Sequence, residues 1–420
     1  MIDRRPALVA RCAGVEDVRR TVRFGRDHEL PLAVRCGGHS LAGFSTCDDG
    51  VVLDLSPMRG AQIDPERRIA RVAGGTLLSQ LDAAAQAHGL VCPVGVVGHT
   101  GVAGLTLGGG MGRLQRHFGL SIDNLRSVEL VTADGRVLTA SEDEEPELFW
   151  GVRGAGANFG VVTSFEFDLH EMGPVVTQGF VDFPAERGHE IAASVRQYLT
   201  TAPDEVMLSF GVTTATAEDG EDLAGRPIVY VGATHSGAVE EAEDVLRPLR
   251  DLGPRVDTFR QVNYLDLQTS GDEDMAWGKR FYMKGAFLAE LSDGFVDAAV
   301  ANALGRGGEC VINLWAHGGA VSKVPDDAMA FTGRQAPFWL GVEAEWDDPG
   351  QDDAMIDWGR TTMAALEPFT AVGHYVNDVI ETGRDVVRGV YGDAKYERLL
   401  GLKRAFDPEN VFRLNQNIVP

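Results

Sequence analysis

Lysine and arginine are scarce in this chain, 38 against 62 aspartates and glutamates, giving a formal net charge of −24 over 420 residues. Such an acidic surface repels phosphate backbones and anionic headgroups, which argues against nucleic acid or a membrane as partner. Cysteine is rarer still. The five present, Cys12, Cys36, Cys47, Cys92 and Cys310, are odd in number and contain no C-x-x-C pair, which speaks against a disulfide framework and a structural zinc site. No metal is expected. No stretch is long and apolar enough to span a bilayer, and the opening MIDRRPALVARC has no apolar signal core, so the expectation is a cytoplasmic chain, monomeric or homodimeric. At 44% hydrophobic residues there is material for two cores, and the length suits two domains.

Glycine is abundant and unevenly spread. Residues 91 to 112, VCPVGVVGHTGVAGLTLGGGMG, carry Gly95, Gly98, Gly101, Gly104, Gly108, Gly109, Gly110 and Gly112. Glycine costs conformational entropy wherever its freedom is not needed, so this density predicts a backbone that approaches something large and flat or anionic. Two familiar phosphate cradles fail on inspection. Counting from Gly108 or Gly110, the sixth position of a Rossmann fingerprint is Arg113 or Gln115 rather than glycine, and no Gly-Lys-Ser or Gly-Lys-Thr of a P-loop occurs. A second glycine turn lies upstream. Residues 35 to 45, RCGGHSLAGFS, follow a strand-like run, and their Gly37–Gly38 pair can converge N–H groups on an anion beside Arg35.

These segments carry a resemblance. Arg35-Cys36-Gly37-Gly38-His39-Ser40, Cys92-Pro93 with the glycine run, Asp123-Asn124, GANFGVVTSFEF at 156 to 167 and DPENVFRLNQNIVP at 407 to 420 resemble the berberine-bridge-enzyme-like branch of the FAD-linked oxidases, end to end. The resemblance implies an α+β protein: a PCMH-type (vanillyl-alcohol-oxidase-like) FAD-binding domain of two α/β subdomains, plus a substrate domain whose large antiparallel sheet is covered by helices. It also implies FAD attached covalently twice, through His39 to the 8α carbon and through Cys92 to C6. Family members generally carry a few dozen residues before the position of Met1, so the start is expected to be trimmed or that segment absent. The other implied cofactor contacts are Phe44, Ser45, His99, Thr100, Leu105, Asn158, Gly160, Val161, Val162, Asn377 and Asn415, with Gln416 beside them.

Periodicity fills in the rest. Val15, Val18 and Val22 share a helical face ahead of the strand LPLAV, and Asp134-Gly135 between two apolar runs signals a hairpin. From Val176 on, TQGFVDF, EVMLSFGV, PIVYVGA, ECVINLWA and FWLGVEAEW read as strands of one antiparallel sheet, covered by helices at 187 to 200, 238 to 250, 292 to 305 and 351 to 366. The domains expected are 1 to 172 for the cofactor, 173 to 371 for the substrate, and 372 to 420 returning to the cofactor.

Oxidation of an alcohol or amine at a flavin needs a fixed ring and a base for the substrate proton, since the cofactor carries the organic chemistry. Tyr375, in Tyr-Val-Asn at 375 to 377, is the first candidate base through its likeness to the family's flavin-facing tyrosine, provided that its phenol is lowered from near 10. Tyr282 and Lys284 stand two apart in a strand, hence on one face, and Asn313, Trp315 and His317 alternate likewise. Glu343 and Glu345 are weaker candidates. The expected activity is hydride transfer from a bulky sugar, alkaloid or polyketide-type natural product to flavin N5, with O2 as reoxidant. A flavoprotein of this fold that only shapes a cyclisation pocket is the alternative, because fold does not fix chemistry.

Overall fold

A computed structural model describes residues 2 to 216, 224 to 303 and 309 to 420. The chain first builds two small sheets. In one, the parallel strands Leu8–Arg11 and Leu32–Arg35 flank the central Val51–Asp54. The helix Val15–Asp27 covers it, and Val18 and Val22 are buried on its inner face. In the other, five antiparallel strands run in the order Ala61–Asp64, Ile69–Ala73, Val161–Asp168, Leu125–Val131 and Val137–Ser141. The hairpin between the last two turns at Gly135, whose φ of 80° suits the residue without a Cβ.

The second half is an eight-stranded antiparallel sheet. Its main path runs Val256–Asp257, Val175–Pro184, Pro227–His235, Val206–Thr214, Glu309–Ala316, Phe338–Trp346 and Arg280–Leu288. Helices Gly188–Leu199, Ala242–Arg250, Asp293–Asn302 and Asp352–Leu366 bury one face with Ile191, Leu246, Phe295, Met355 and their neighbours. Positions 304 and 305 of the expected third helix lie outside the described residues. Strand alternation divides the side chains: Leu340, Val342 and Ala344 enter the helix-covered core, while Trp339 joins the core of the first half. No helix among the described residues is long and apolar enough to cross a membrane.

The C-terminal residues return to the first half. Arg384–Phe406 is two helices broken at Gly392, where φ is 73°; Tyr396 and Leu399 sit in the first half's core. Lys403, fully buried, then organises the tail. Its ammonium donates to the Asp407 carboxylate at 2.8 Å and to the carbonyls of Phe412 and Asn158 at 2.8 and 3.1 Å. A buried charge is tolerable when paired and hydrogen-bonded in this way. Asn158 completes the clamp: its Oδ1 accepts from the Ile418 N–H at 3.0 Å and its Nδ2 donates to the Gln416 carbonyl at 3.2 Å.

Candidate active site

Between the glycine turns and the uncovered face of the large sheet lies a cavity of about 450 Å³. One wall is mostly backbone. Cys36, Gly37, Gly38, His39, Ser40, Phe44 and Ser45 line it, with Thr100, Gly101, Gly104, Leu105 and Gly108 from the glycine run. Asn158, Gly160, Val161 and Val162, around the start of the strand Val161–Asp168, close it together with Asn415 from the tail. The two glycine turns touch: a Cβ on Gly37 would fall onto the Gly101 amide nitrogen, so only glycine allows the approach. Gly104, by contrast, faces open space.

The opposite wall is made of side chains. Phe281, Met283, Trp315, Trp339 and Glu343 project from three neighbouring strands, and Tyr375, Asn377 and Asp378 enter from the following loop. Glu343 hydrogen-bonds to no described residue, and its apolar surroundings push its carboxyl up to about 7. Asp378 accepts from Trp339 Nε1 at 2.7 Å; burial, less the effect of that bond and with a contribution from Glu343, pushes it up to about 8. Carboxyls poised this close to neutrality are suited to proton transfer.

Several expected residues lie elsewhere. Cys92 is fully buried in the first half's core and absent from the cavity wall, and burial, with Asp82 next, raises its thiol well above the ordinary range. A sealed, protonated thiol is no nucleophile, and the residues of that segment that reach the wall are Gly95, Val96 and Val97. Pro93 is a framework residue whose carbonyl accepts from Ser121 Oγ. Asp123 pairs with the buried Arg334, and Asn124 bonds the carbonyls of Phe118 and Leu120 and the His170 ring. Gly109, Gly110 and Gly112 are glycine because Phe331, Ser121 and the Val94 carbonyl pack where a Cβ would go. Arg35 and Gly98 also stand off the wall; the Gly98 N–H donates to Asp272 Oδ1 at 2.6 Å. His99 stands behind His39 rather than on the wall.

The catalytic candidates divide in the same way. Tyr375 is on the wall, but its hydroxyl accepts from Asn377 Nδ2 at 2.8 Å and the Gly110 N–H at 3.2 Å. Burial, with Asp378 next, pushes it up to about 12, the opposite of what a base requires. Tyr282 faces the covering helices, packed against Gly359 with Arg360 over its ring. Lys284 is paired with Glu381. His317 lies just past its strand with its ring on Phe287, outside this cavity. The alternation was sound and the face was not: in Arg280–Leu288 it is Phe281 and Met283 that look inward. Phe281, Met283, Trp339 and Asp378 escaped the sequence reading. An alternating strand shows which residues travel together and leaves open which set faces the ligand.

The wall fits a flavin. Asn415 Oδ1 and Gln416 Oε1 are buried on or beside it without hydrogen-bond partners among the described residues, a cost that a ligand with N–H groups would relieve. Residues 6–141 match the FAD binding domain family, and residues 374–419 match the berberine and berberine-like family. The chain is 35% identical to (R)-6-hydroxynicotine oxidase of Paenarthrobacter nicotinovorans, covering 99% of this chain and 92% of that protein. It is 31% identical to an FAD-linked oxidoreductase of Dictyostelium discoideum over 99% of this chain and 89% of that one. The crystal structure of 6-hydroxy-D-nicotine oxidase from Arthrobacter nicotinovorans superposes with a TM-score of 0.86 at 32% identity, over 99% of this chain and 93% of that one. A carbohydrate oxidase from Microdochium nivale shares the fold, with a TM-score of 0.86 at 23% identity over 99% and 92% of the two chains. From the glycine turns to the terminal clamp, the chain belongs to the berberine-bridge-enzyme-like FAD-linked oxidoreductases.

Proposed function

We propose that this protein oxidises a bulky cyclic amine, with its FAD carried on His39 alone. FAD, when bound, supplies the two-electron acceptor, which dioxygen reoxidises with release of peroxide. The glycine turns would give the pyrophosphate close access to backbone N–H groups, and Asn415 and Gln416, with buried amide oxygens lacking partners among the described residues, would accept from the ring system's N–H groups. The Cys92 sulfur, sealed in the core, takes no part in the attachment.

The observation that carries the substrate class is Glu343, a carboxyl on the aromatic wall that hydrogen-bonds to none of the described residues. As a carboxylate it would attract an ammonium group; as a base it would take the proton that must leave nitrogen as hydride leaves carbon, a contribution of roughly 10² to 10⁴ in rate. Trp315, Trp339, Phe281 and Tyr375 offer ring faces to a planar or cationic substrate. Tyr375 is a positioning residue here, its hydroxyl fixed by Asn377 and Gly110. The relative named for hydroxynicotine oxidation supports an amine over a sugar.

Anaerobic mixing with a panel of N-heterocyclic amines and oligosaccharides tests this reading. Bleaching of the flavin by an amine, and not by sugars, is expected. Bleaching by sugars alone would overturn the amine assignment, and flavin left oxidised by every compound would favour cyclisation instead.

A further inference from the structure

His39 does not stand alone. Its Nε2 lies 2.5 Å from His99 Nδ1, and His99 Nε2 lies 2.9 Å from the backbone carbonyl of Asp272. A carbonyl oxygen can only accept, so His99 Nε2 carries a proton and donates it. In the neutral ring its Nδ1 is then an acceptor, and the proton between the two rings belongs to His39 Nε2. His39 is neutral too: burial, with His99 next, lowers it to about 4. Its Nδ1 therefore holds a lone pair, and it bonds to no described residue while its ring lines the cavity. The Asp272 backbone amide thus sets, two rings away, which nitrogen of His39 is nucleophilic.

The relay is held from outside the glycine turns. Asp272 belongs to the segment after the helix Tyr264–Gln268, and its side chain pins the loop that bears His99 by accepting from the Gly98 N–H at 2.6 Å. Trp277 lies over the pair, 4.6 Å from the His99 ring and 5.8 Å from the His39 ring, and is itself 59% exposed. The second half of the molecule therefore completes the anchor of the first.

We propose that His99 is the proton acceptor for self-attachment of the cofactor, acting through His39. The inference rests on the reading of His39 as the anchor. In the net change, a bond from His39 Nδ1 to the flavin 8α carbon replaces one C–H bond of that methyl group. The alkylated imidazole sheds its Nε2 proton to His99 Nδ1. The two electrons enter the ring system and pass to dioxygen, which leaves as peroxide with the two protons released. Without an acceptor at Nε2, bond formation would leave a cation buried beside the cofactor, which low polarity disfavours.

The test follows covalent incorporation rather than turnover. Protein made under flavin limitation is mixed with FAD in air, and intact mass is recorded over time, with noncovalent binding measured separately by quenching of FAD fluorescence. His99→Ala is expected to bind FAD and to attach it at least about tenfold more slowly, and added imidazole, seated in the space left under Trp277, should restore the rate. Potassium chloride at equal ionic strength should not. His99→Gln can accept from His39 and donate to Asp272 but cannot take a proton; it serves if the alanine variant folds poorly, and should be slow without rescue. Attachment at the parental rate in His99→Gln would overturn the proposal. His39→Ala separates the two readings: covalent flavin in that variant would remove the anchor itself, whereas its loss there with undiminished attachment in the His99 variants removes only the relay.

Discussion

The two walls of the cavity are built on opposite principles. The cofactor wall presents much backbone: its glycines stand where chain must approach chain, as Gly37 approaches Gly101. The substrate wall presents large side chains from a rigid sheet, where the backbone is satisfied by its ladder and every second residue is free to vary. Changes on the first wall should therefore act all or none on cofactor loading. Changes on the second should be graded, and should alter chemistry while leaving the flavin in place.

The largest effect belongs to Gly37→Val. The new side chain would occupy the space of the Gly101 amide and the His99 carbonyl, and both turns would have to part. The expected outcome is protein without flavin, read from the absorbance ratio of the purified protein and from its mass. Yellow, covalently loaded Gly37→Val would break the comparison at its first side. Next comes Glu343→Gln, which keeps shape and removes charge. It should load FAD like the parent and slow anaerobic reduction by an amine roughly a hundredfold. In the parent the reduction rate should rise with pH through an inflection near 7, because the carboxylate is the active form and the folded carboxyl sits at about 7. The glutamine variant should lack that inflection.

The same contrast explains what could be read in advance. Glycine with a backbone role leaves a mark in the chain itself, so the close approach around Gly37 and Gly101 was legible, as were the hairpin at Gly135 and the strands of the large sheet. Gly109, Gly110 and Gly112 looked identical in sequence and serve tertiary packing, a distinction that only the positions of Phe331, Ser121 and Val94 make. Cys92 poses a similar question: a cysteine near a cofactor loop is conspicuous in sequence, but whether its sulfur faces ligand or core depends on which way its segment turns, and here it is buried in the core. On the substrate wall, alternation gave pairs without faces: Phe281 and Met283 line the cavity, while Tyr282 and Lys284 do not. Asp378 lies outside any strand; its significance comes from Trp339, distant in sequence, which donates to it. The pairing of His39 with His99 spans two glycine turns, and neither motif alone announces it.

A smaller effect is expected from Tyr375→Phe, where the two walls meet. The hydroxyl accepts from the Gly110 N–H and from Asn377, so its loss strands a buried donor and should cost about 1 to 3 kcal/mol in denaturant unfolding. The reduction rate should change less than about threefold, since a phenol pushed up to about 12 is no base near neutrality. A tenfold slower reduction with intact flavin would restore Tyr375 as the base and displace Glu343.

The smallest effect concerns stability at Glu343, and its sign is the informative part. The carboxyl is raised in the folded protein from the ordinary glutamate range to about 7, so the native state holds this proton more tightly than the unfolded chain does. Its contribution to stability is complete below the ordinary range near 4.3 and is lost as pH rises toward and through about 7. Glutamine does not titrate. With FAD bound in both proteins, their melting temperatures should agree near pH 4, and by pH 8 Glu343→Gln should melt higher, by about 1 °C for each kcal/mol that the carboxylate costs in a chain of 420 residues. An unreactive amine should reverse the order at pH 8, because an ammonium group gives the carboxylate the partner that the protein withholds, and the glutamine variant gains nothing from it. A difference independent of pH would mean that Glu343 is hydrated and ordinary, and an amine that stabilises both proteins equally would move the cation's seat to Asp378.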